Sequence, residues 1–418
     1  MTAPRPGFAA ALSAFRYRNF TLFWFGALFS NTGTWVQNVT VPFLVFQLTQ
    51  SAAWVGVAAF TQLLPLALFS VVGGSLADRF QRRSILLVTQ SAAALVALAL
   101  WALWVSGRAS LAPVLVLVGV GGMVTGLNIP AWQAFVSELV PRDTLLNAVT
   151  LNSTQFNAAR AFGPALGGLV LAQLGVGWAF LLNAASYAVV LAVLVAIAVP
   201  RLTRDAHHDS VLRGLVTSVR YTARRRGLLT CVLAVAGLGL LASPVNALLV
   251  VFAEDVFDVD RFRYGLLGAA LGLGAVLSAP LVAGPGTGVR RSLLAGVGMA
   301  AHGAALVAFA LAPSYWFGVA LLVVAGAAYL PVAATLNTTL QLQVDESMRG
   351  KVLALYITVF TVAIPVGSLI AGTVASAVGA PATLAVGAGL FLVVTLLLAF
   401  SGWLRSLDDT GIAVPSGS

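Results

Sequence analysis

The chain has 418 residues, of which 60% are hydrophobic and 9% are charged, and its mean hydropathy is +0.97. This balance excludes a water-soluble globular protein, because such domains are about 45 to 50% apolar and about 25% charged. The net charge is +10, yet the arginines are scattered through short breaks between apolar runs. That distribution argues against a nucleic-acid-binding surface.

Apolar runs long enough to cross a bilayer recur along the whole chain. A transmembrane helix needs roughly 20 mainly apolar residues, and these continuous runs rich in Leu, Ala, Val and Gly are unlike the short alternating strands of a membrane barrel. The sequence therefore predicts an all-α polytopic membrane protein. In chain order the twelve predicted spans cover about 20–46, 53–77, 85–106, 112–138, 145–173, 177–199, 228–253, 264–285, 292–312, 315–341, 351–377 and 381–403.

The longest polar stretch separates the sixth span from the seventh, and the segments on either side of it repeat. "GPALGGLVLAQLG" corresponds to "IPVGSLIAGTVASAVG", and "ADRFQRRSILLV" to "GTGVRRSLLAGV". A recurrence at about 200 residues indicates two six-helix units of the same orientation, with a binding site expected between them near mid-membrane. The predicted domains are an N-terminal bundle at 1–199, a cytoplasmic linker at 200–227, a C-terminal bundle at 228–404 and a disordered cytoplasmic tail at 405–418.

Basic residues are distributed unevenly between the two sets of loops. Arg108, Arg261 and Arg263 lie in loops of one parity, Arg160 lies inside a span, and all the other basic residues lie on the opposite side. Cytoplasmic loops carry the excess of Lys and Arg, so that opposite side is predicted to be cytoplasmic. It contains the linker and, because the number of spans is even, both termini.

The turn "GGSLADRFQRRS", residues 73–84, concentrates charge after the second span. Part of this charge is a topology signal. Its residues also follow the signature loop of the major facilitator superfamily: Gly74, Asp78, Arg79, Arg82 and Arg83, with Gln81 where the pattern usually has glycine. Together with "RNFTLFWFGALFSNTGTWVQN" and "FNAARAFGPALGG", this turn resembles the bacterial exporters grouped with the enterobactin exporter and macrolide efflux pumps.

The resemblance implies the major facilitator fold, two pseudo-symmetric six-helix bundles in the bacterial cytoplasmic (inner) membrane. It also implies efflux of a small organic molecule, siderophore-like or an amphipathic drug or natural product, by alternating access with proton antiport. In the conformational switch that it implies, Asp78 pairs with basic groups and with the start of the eleventh span. The alternative is that Asp78 offsets arginine charge in a solvated turn.

The fifth span carries an ionisable residue, Arg160, about midway along an apolar helix. A charge at that depth is costly, so it is expected to face the bundle interior or a water-filled cavity. Ser153, Asn157, Arg160 and Pro164 fall on one helical stripe. We predict that Asn157 and Arg160 bind substrate, since an Arg fork suits carboxylates and catecholates. The alternative is a hydrogen bond from Arg160 to the backbone of another helix.

Other polar side chains lie within predicted spans and either line a cavity or bond one another. For each residue, both a cavity-lining role and a helix-bonding role stay open. For Trp, packing against other apolar groups is the commoner role. The predicted substrate-binding residues are Asn31, Trp35 and Asn38 in the first span, Asn128 and Gln133 in the fourth, Asn157 and Arg160 in the fifth, Asn246 in the seventh and Asn337 in the tenth.

The end of the fifth span, with Gly163, Pro164, Gly167 and Gly168, resembles the antiporter motif of the superfamily. Its upstream glycines are missing, because Thr150 and Ala159 occupy those positions. Gly163 and Gly167 are spaced as a small-xxx-small packing face, and Pro164 bends the helix. Helix packing alone also explains these residues.

Acids within the spans are scarce, so few groups can carry a coupled proton. The nearest candidates are Glu138 at the cytoplasmic end of the fourth span, and Glu254 and Asp255 near the outer end of the seventh. No catalytic pair, ATP-binding loop or metal-ligand cluster assembles, so we expect neither an enzyme nor a cofactor. The expected protein is a monomer in the lipid bilayer, with a small-molecule substrate, H+ as coupling ion and no nucleic acid. An importer on the same fold, or a translocator of lipid-linked substrates, remains the alternative.

Overall fold

The computed structural model describes residues 12–197, 211–283 and 288–409. Within these ranges the chain is helical and contains no β-strand. The α-helices are α1 (Arg18–Thr49), α2 (Ala52–Arg79), α3 (Arg82–Val105), α4 (Leu111–Phe135), α5 (Leu145–Gln173), α6 (Val176–Ala196), α7 (Val211–Ala223), α8 (Arg226–Gly237), α9 (Val245–Val251), α10 (Arg261–Ala283), α11 (Arg291–Ala310), α12 (Tyr315–Gln343), α13 (Arg349–Val378) and α14 (Ala380–Phe400).

Ten helical segments of the described chain are long and apolar enough to cross a membrane. One of them, Arg226–Val256, joins α8 and α9 through the π-helical segments Leu238–Ala242 and Phe252–Val256. The prediction of a multi-pass helical membrane protein is confirmed. α1 and α5 are not among the ten, although they are 32 and 29 residues long. These two helices carry several amide side chains, among them Asn31, Asn38 and Asn157, which lower their hydropathy.

Two compact units make up the chain. Unit 1 comprises Met1–Thr49, Thr61–Ala206 and Arg261–Gly265, and unit 2 comprises Gln50–Phe60, His207–Asp260 and Leu266–Ser418. α2 and α10 therefore each contribute residues to both units. In unit 1, α1 packs against α5 and α6, and α3 packs against α4 and α6. In unit 2, α11 packs against α12 and α14.

A pair of glycines brings two helices into close contact in each unit. In unit 1, a Cβ added to Gly168 of α5 would lie 2.7 Å from the Cα of Gly265 in α10. In unit 2, a Cβ added to Gly56 of α2 would lie 3.0 Å from the Cα of Gly372 in α13. Helix backbones approach this closely only where the contact positions lack a bulky side chain.

The two glycine crossings occupy equivalent positions in the repeated segments. Gly168 stands seven residues before Gly175, and Gly372 stands seven residues before Gly379. Gly175 and Gly379 adopt φ values of +85° and +89°, a conformation that favours glycine, and each leads directly into the next helix. The contact and the turn that follows it therefore recur together, which supports the predicted repeat.

The first residues of the tail are folded, contrary to the expectation of disorder from residue 405. A 3-10 helix covers Trp403–Leu407, and Leu404 and Leu407 are buried. Asp408 accepts hydrogen bonds from the backbone N–H of Ser292 at 2.9 Å and from its hydroxyl at 2.5 Å, at the first turn of α11. A carboxylate at a helix N-terminus binds otherwise unpaired N–H groups and offsets the helix dipole.

Candidate functional site in the polar helices α1 and α5

α1 and α5 pack together through polar and small residues. Asn31 of α1 donates a hydrogen bond from Nδ2 to Oε1 of Gln155 in α5 at 3.2 Å. Two turns further along α5, Gly163 packs directly on the Cβ of Trp35, so a larger residue at 163 would force the helices apart. Two predicted binding residues, Asn31 and Trp35, are thereby brought to the same helix pair.

Two further amides of α1, Gln37 and Asn38, bond to different helices. Asn38 accepts a hydrogen bond from Gln62 of α2 at 3.1 Å. Gln37 accepts one at 2.8 Å from Asn183 of α6, whose side chain is buried. At these contacts the amides hold helices together within the apolar bundle, which is the alternative that the sequence left open for Asn38.

Gln155 is a polar residue of α5 that the sequence reasoning missed. It is 1% exposed, and its Nε2 atom has no hydrogen-bond partner in the described part of the chain. The buried Oδ1 atom of Asn128 in α4 likewise has none. A buried amide with an unused donor or acceptor is costly unless water or a ligand bonds to it. Such atoms are therefore candidates for contact with a polar substrate.

The predicted stripe along α5 changes its environment along the helix. Ser153 and Asn157 are exposed, Arg160 is partly buried and Pro164 is buried. The side chain of Asn157 donates a hydrogen bond to the carbonyl of Ser153 at 2.9 Å. Gly167 faces Val36 of α1. The accessible part of the stripe is thus its N-terminal portion together with Arg160.

Arg82 and Arg83 bind the C-terminal ends of two helices. Arg82 donates to the carbonyl of Ala134 at 2.7 Å, in the last turn of α4. Arg83 donates to the carbonyls of Leu194 and Val195 at 2.6 and 3.0 Å, in the last turn of α6. Cations at helix C-termini satisfy unpaired carbonyls and offset the helix dipole. The basic pair of the charged turn therefore anchors two neighbouring helices to the start of α3.

The charged turn also contains Asp78, Arg79 and Gly74, none of which is buried. The Asp78 side chain is exposed and forms no hydrogen bond or ion pair with any described residue, and Arg79 is exposed as well. Gly74 has open space around it, whereas a Cβ at the preceding residue, Gly73, would lie 2.8 Å from the Cα of Leu127. The close helix approach thus occurs at Gly73. The latch role of Asp78 stays a prediction for another conformation of the transport cycle.

Three acidic residues were predicted to carry protons, and they lie in different surroundings. Glu138 forms an ion pair with Arg82, with 3.2 Å between Oε1 and Nη1. Glu254 is partly buried, and Asp255 is exposed. Asp255 also lines a cavity of about 490 Å³ in unit 2, together with Gln50, Ser51 and Ser376. Among the three, Glu138 alone is joined to a residue of the charged turn by an ion pair that the structure resolves.

In unit 2 the predicted binding residues form hydrogen bonds with residues close to them in the chain. Asn246 is exposed and donates to the carbonyl of Ser243 at 3.1 Å, next to a π-helical segment. Asn337 accepts from Gln341 at 2.5 Å. Gln133, in unit 1, is exposed. No group of three or more potential metal-ligating residues of the His, Cys, Asp and Glu types occurs in the described residues.

Comparison with protein families decides the classification. The model of the transmembrane secretion effector family, within the major facilitator superfamily, matches residues 9–413. The chain belongs to this family.

Two relatives of this family member are transporters of known direction. The enterobactin exporter EntS of Citrobacter koseri is 27% identical over 91% of both chains. The multidrug efflux pump Tap of Mycolicibacterium fortuitum is 27% identical over 92% of this chain and 96% of its own length.

Solved structures share the fold of this transmembrane secretion effector. A bacterial homologue of the human lysosomal transporter Spinster, inward-facing and unoccupied, gives a TM-score of 0.72 at 17% identity, covering 94% of this chain and 98% of the other. A POT peptide transporter in complex with alafosfalin gives 0.75 at 13% identity, covering 94% and 96%. At these identities the likeness shows the fold alone. The resemblance to the major facilitator superfamily, and to its exporters, is confirmed.

Proposed function

We propose that this protein exports a small organic molecule across the bacterial cytoplasmic membrane by alternating access, in exchange for protons. In this proposal the ten apolar spans, together with α1 and α5, make twelve spans. These form two six-helix bundles, with both termini in the cytoplasm. The enterobactin exporter and the multidrug pump among its relatives support export. They also support a siderophore-like or amphipathic substrate.

The observation that carries the proposal is the polar composition of α1 and α5. Both are long helices of a membrane protein, yet they carry amides and an arginine that lower their hydropathy. Exposed polar groups at lipid depth are favourable where they line a water-filled path. We propose that Arg160 and Asn157 bind an anionic or polar part of the substrate. In unit 1, the residues proposed to extend that path are Asn31, Trp35, Asn128 and Gln133.

The charged turn is proposed to control the conformational change. Arg82 and Arg83 hold the ends of α4 and α6, so a movement of the start of α3 is transmitted to both helices. Asp78 is exposed and available to pair in a different conformation. Glu138, paired with Arg82, is the acid best placed to couple a proton to that movement.

Export is tested by mass spectrometry of small molecules inside and outside cells with and without the gene, grown with sufficient and with limiting iron. We expect a compound that accumulates inside the deletion strain and is depleted from its medium. Complementation with the wild-type gene should reverse both changes, and a gene carrying Arg160→Ala should not. A compound left unused in the medium of the deletion strain would instead identify an importer and overturn the proposal.

A further inference from the structure

α7 is a short helix whose end lies next to a membrane span. It ends at Ala223, and the candidate span Arg226–Val256 begins three residues later. Because this connection is short, the C-terminal end of α7 lies close to the start of the candidate span. A helix next to the end of a span is well placed to contact the membrane surface.

The orientation of α7 is fixed by contacts on one of its faces. Ser218 and Thr222 are 1% and 2% exposed. Tyr221 donates a hydrogen bond from its hydroxyl to Asp345 at 2.7 Å, and Arg225, just beyond the helix, forms an ion pair with the same carboxylate at 2.8 Å. This face packs on the bundle near the start of α13, which leaves the opposite face turned outward.

The outward face of α7 carries an apolar stripe beside a basic one. Val216 and Val219 are 53% and 48% exposed, and Ala223 is exposed as well. At about 100° per residue, these three lie within an arc of about 60°. Arg220 is exposed and follows on the adjacent arc, and Arg224, in the turn directly after the helix, is exposed as well. An apolar stripe flanked by arginines is the pattern of a helix that lies in a membrane interface.

We infer that the outward face of α7 rests on anionic phospholipids of the adjacent leaflet, with Val216 and Val219 among the upper acyl chains and Arg220 and Arg224 on the phosphates. Two features favour lipid over another occupant. The positive charge of the arginines is complementary to an anionic leaflet, and the helix lies beside the start of a span. Arginine forks bind phosphate oxygens in pairs. Asp345 holds α7 to the loop before α13. Lipid that binds α7 can therefore affect the position of that loop.

A spin label at residue 219 tests the inference in the full-length protein. The label is attached to Val219→Cys in a Cys231→Ser background, because Cys231 is buried and is the chain's single cysteine. Power saturation with O2 and with a water-soluble nickel chelate reports depth in nanodiscs of phosphatidylcholine, with and without phosphatidylglycerol. We expect O2 to dominate and the ratio of the two accessibilities to rise about twofold with phosphatidylglycerol.

The variant Arg220→Gln/Arg224→Gln should abolish the rise caused by phosphatidylglycerol. Its matched control is Arg142→Gln/Arg349→Gln, which removes two exposed arginines elsewhere and should keep the rise. A label that is more accessible to the nickel chelate in both membranes would show that the face lies in water and overturn the inference. A depth that is the same with and without phosphatidylglycerol would refute the role of the arginines. Neither readout depends on transport, so the result of this test does not affect the proposed export function.

Discussion

Arg82 and Glu138 form an ion pair, with 3.2 Å between Nη1 and Oε1, and their side chains are 16% and 9% exposed. The pair joins the charged turn at the start of α3 to the 3-10 helix Val136–Glu138, which directly follows α4. Removal of one partner from a shielded pair leaves an uncompensated charge, which is more costly than the pair itself is stabilising. Protonation of Glu138 has the same effect on Arg82 as removal of the carboxylate charge.

We expect Glu138→Gln to uncouple transport from the proton gradient. Glutamine keeps a hydrogen-bond acceptor for Arg82 but cannot titrate, so a pH gradient should no longer accelerate substrate movement in proteoliposomes. Movement down the substrate's own gradient should persist within about threefold of wild type. Asp143→Asn, which neutralises an exposed acid of the loop before α5, is the control and should stay coupled. Full pH-driven transport by Glu138→Gln would exclude Glu138 as the proton carrier.

Gly168→Ala should destabilise the protein because its new Cβ would lie 2.7 Å from the Cα of Gly265. Overpacking typically costs about 1 to 3 kcal/mol, which corresponds to a fall of several degrees in the midpoint of thermal unfolding in detergent. The control is Gly389→Ala in α14, where no atom lies within 4 Å of the added Cβ. Helix propensity predicts an unchanged or higher midpoint for that variant. Equal midpoints for the two variants would refute the importance of the crossing.

Arg160→Ala is expected to weaken substrate binding by about tenfold or more, the effect of losing one hydrogen bond to a charged group. The fold should survive, so the thermal midpoint should change little. Binding is measured by titration of purified protein with the exported compound, once mass spectrometry has identified it. Arg108→Ala, in an exposed loop, should bind as wild type does. Wild-type affinity in Arg160→Ala would mean that Arg160 serves helix packing instead.

Asp78→Asn should reduce the rate of transport while leaving substrate affinity nearly unchanged. The Asp78 side chain is exposed and forms no hydrogen bond or ion pair with the described residues. Its replacement therefore has little effect on this conformation and acts on the conformation in which the latch forms. Transport rate and equilibrium binding are measured on the same preparation. A rate equal to that of the wild-type protein would remove Asp78 from the switch.

The contact that holds α7 should be stable at neutral pH and be lost in acid. The Tyr221 hydroxyl and the Arg225 guanidinium hold the pKa of Asp345 below its usual range, while burial raises the pKa of Tyr221 and keeps its hydroxyl a donor. Because the folded-state pKa of Asp345 is the lower one, the contact contributes fully above the unfolded value of about 3.9 and weakens as pH falls through the folded value.

A spin label at residue 216 reports that loss. Its mobility should be constant from about pH 8 to pH 5 and increase below about pH 4. Asp345→Asn should show increased mobility across the whole range, and Asp143→Asn should follow the wild-type curve. A transition of the wild-type label between pH 5 and 8 would contradict the assignment to Asp345.

The sequence predicted the helical membrane class because hydropathy depends on composition over a long window and hardly on packing. It also singled out Arg160 in α5, because a charged residue within an apolar run is visible in the sequence. It missed Gln155, which lies off the predicted stripe of α5 and gains importance only through Asn31, 124 residues away. No local signal in α5 distinguishes this glutamine from its neighbours.

The contacts of Arg82 and Arg83 were also out of reach of sequence reasoning. Both residues were predicted to act as charges of the switch. Each also donates to a distant backbone carbonyl: Arg82 to Ala134, 52 residues away, and Arg83 to Leu194, 111 residues away. A carbonyl is present at every residue, so no sequence pattern marks the one that will be bound. The same limit applies to the folded start of the tail, where Asp408 reaches the N-terminus of α11.

Gly168 and Gly372 each lie seven residues before a turn glycine, and this spacing fixes the direction of the crossing glycine relative to the turn. One residue inserted into either interval would rotate the crossing glycine by about 100° around its helix relative to the turn. Composition, hydropathy and charge would barely change, and every span would still be long enough for the membrane. Tolerance of insertions in this protein is therefore governed by helical phase, and a site next to the turn glycines is as sensitive as one in the middle of a span.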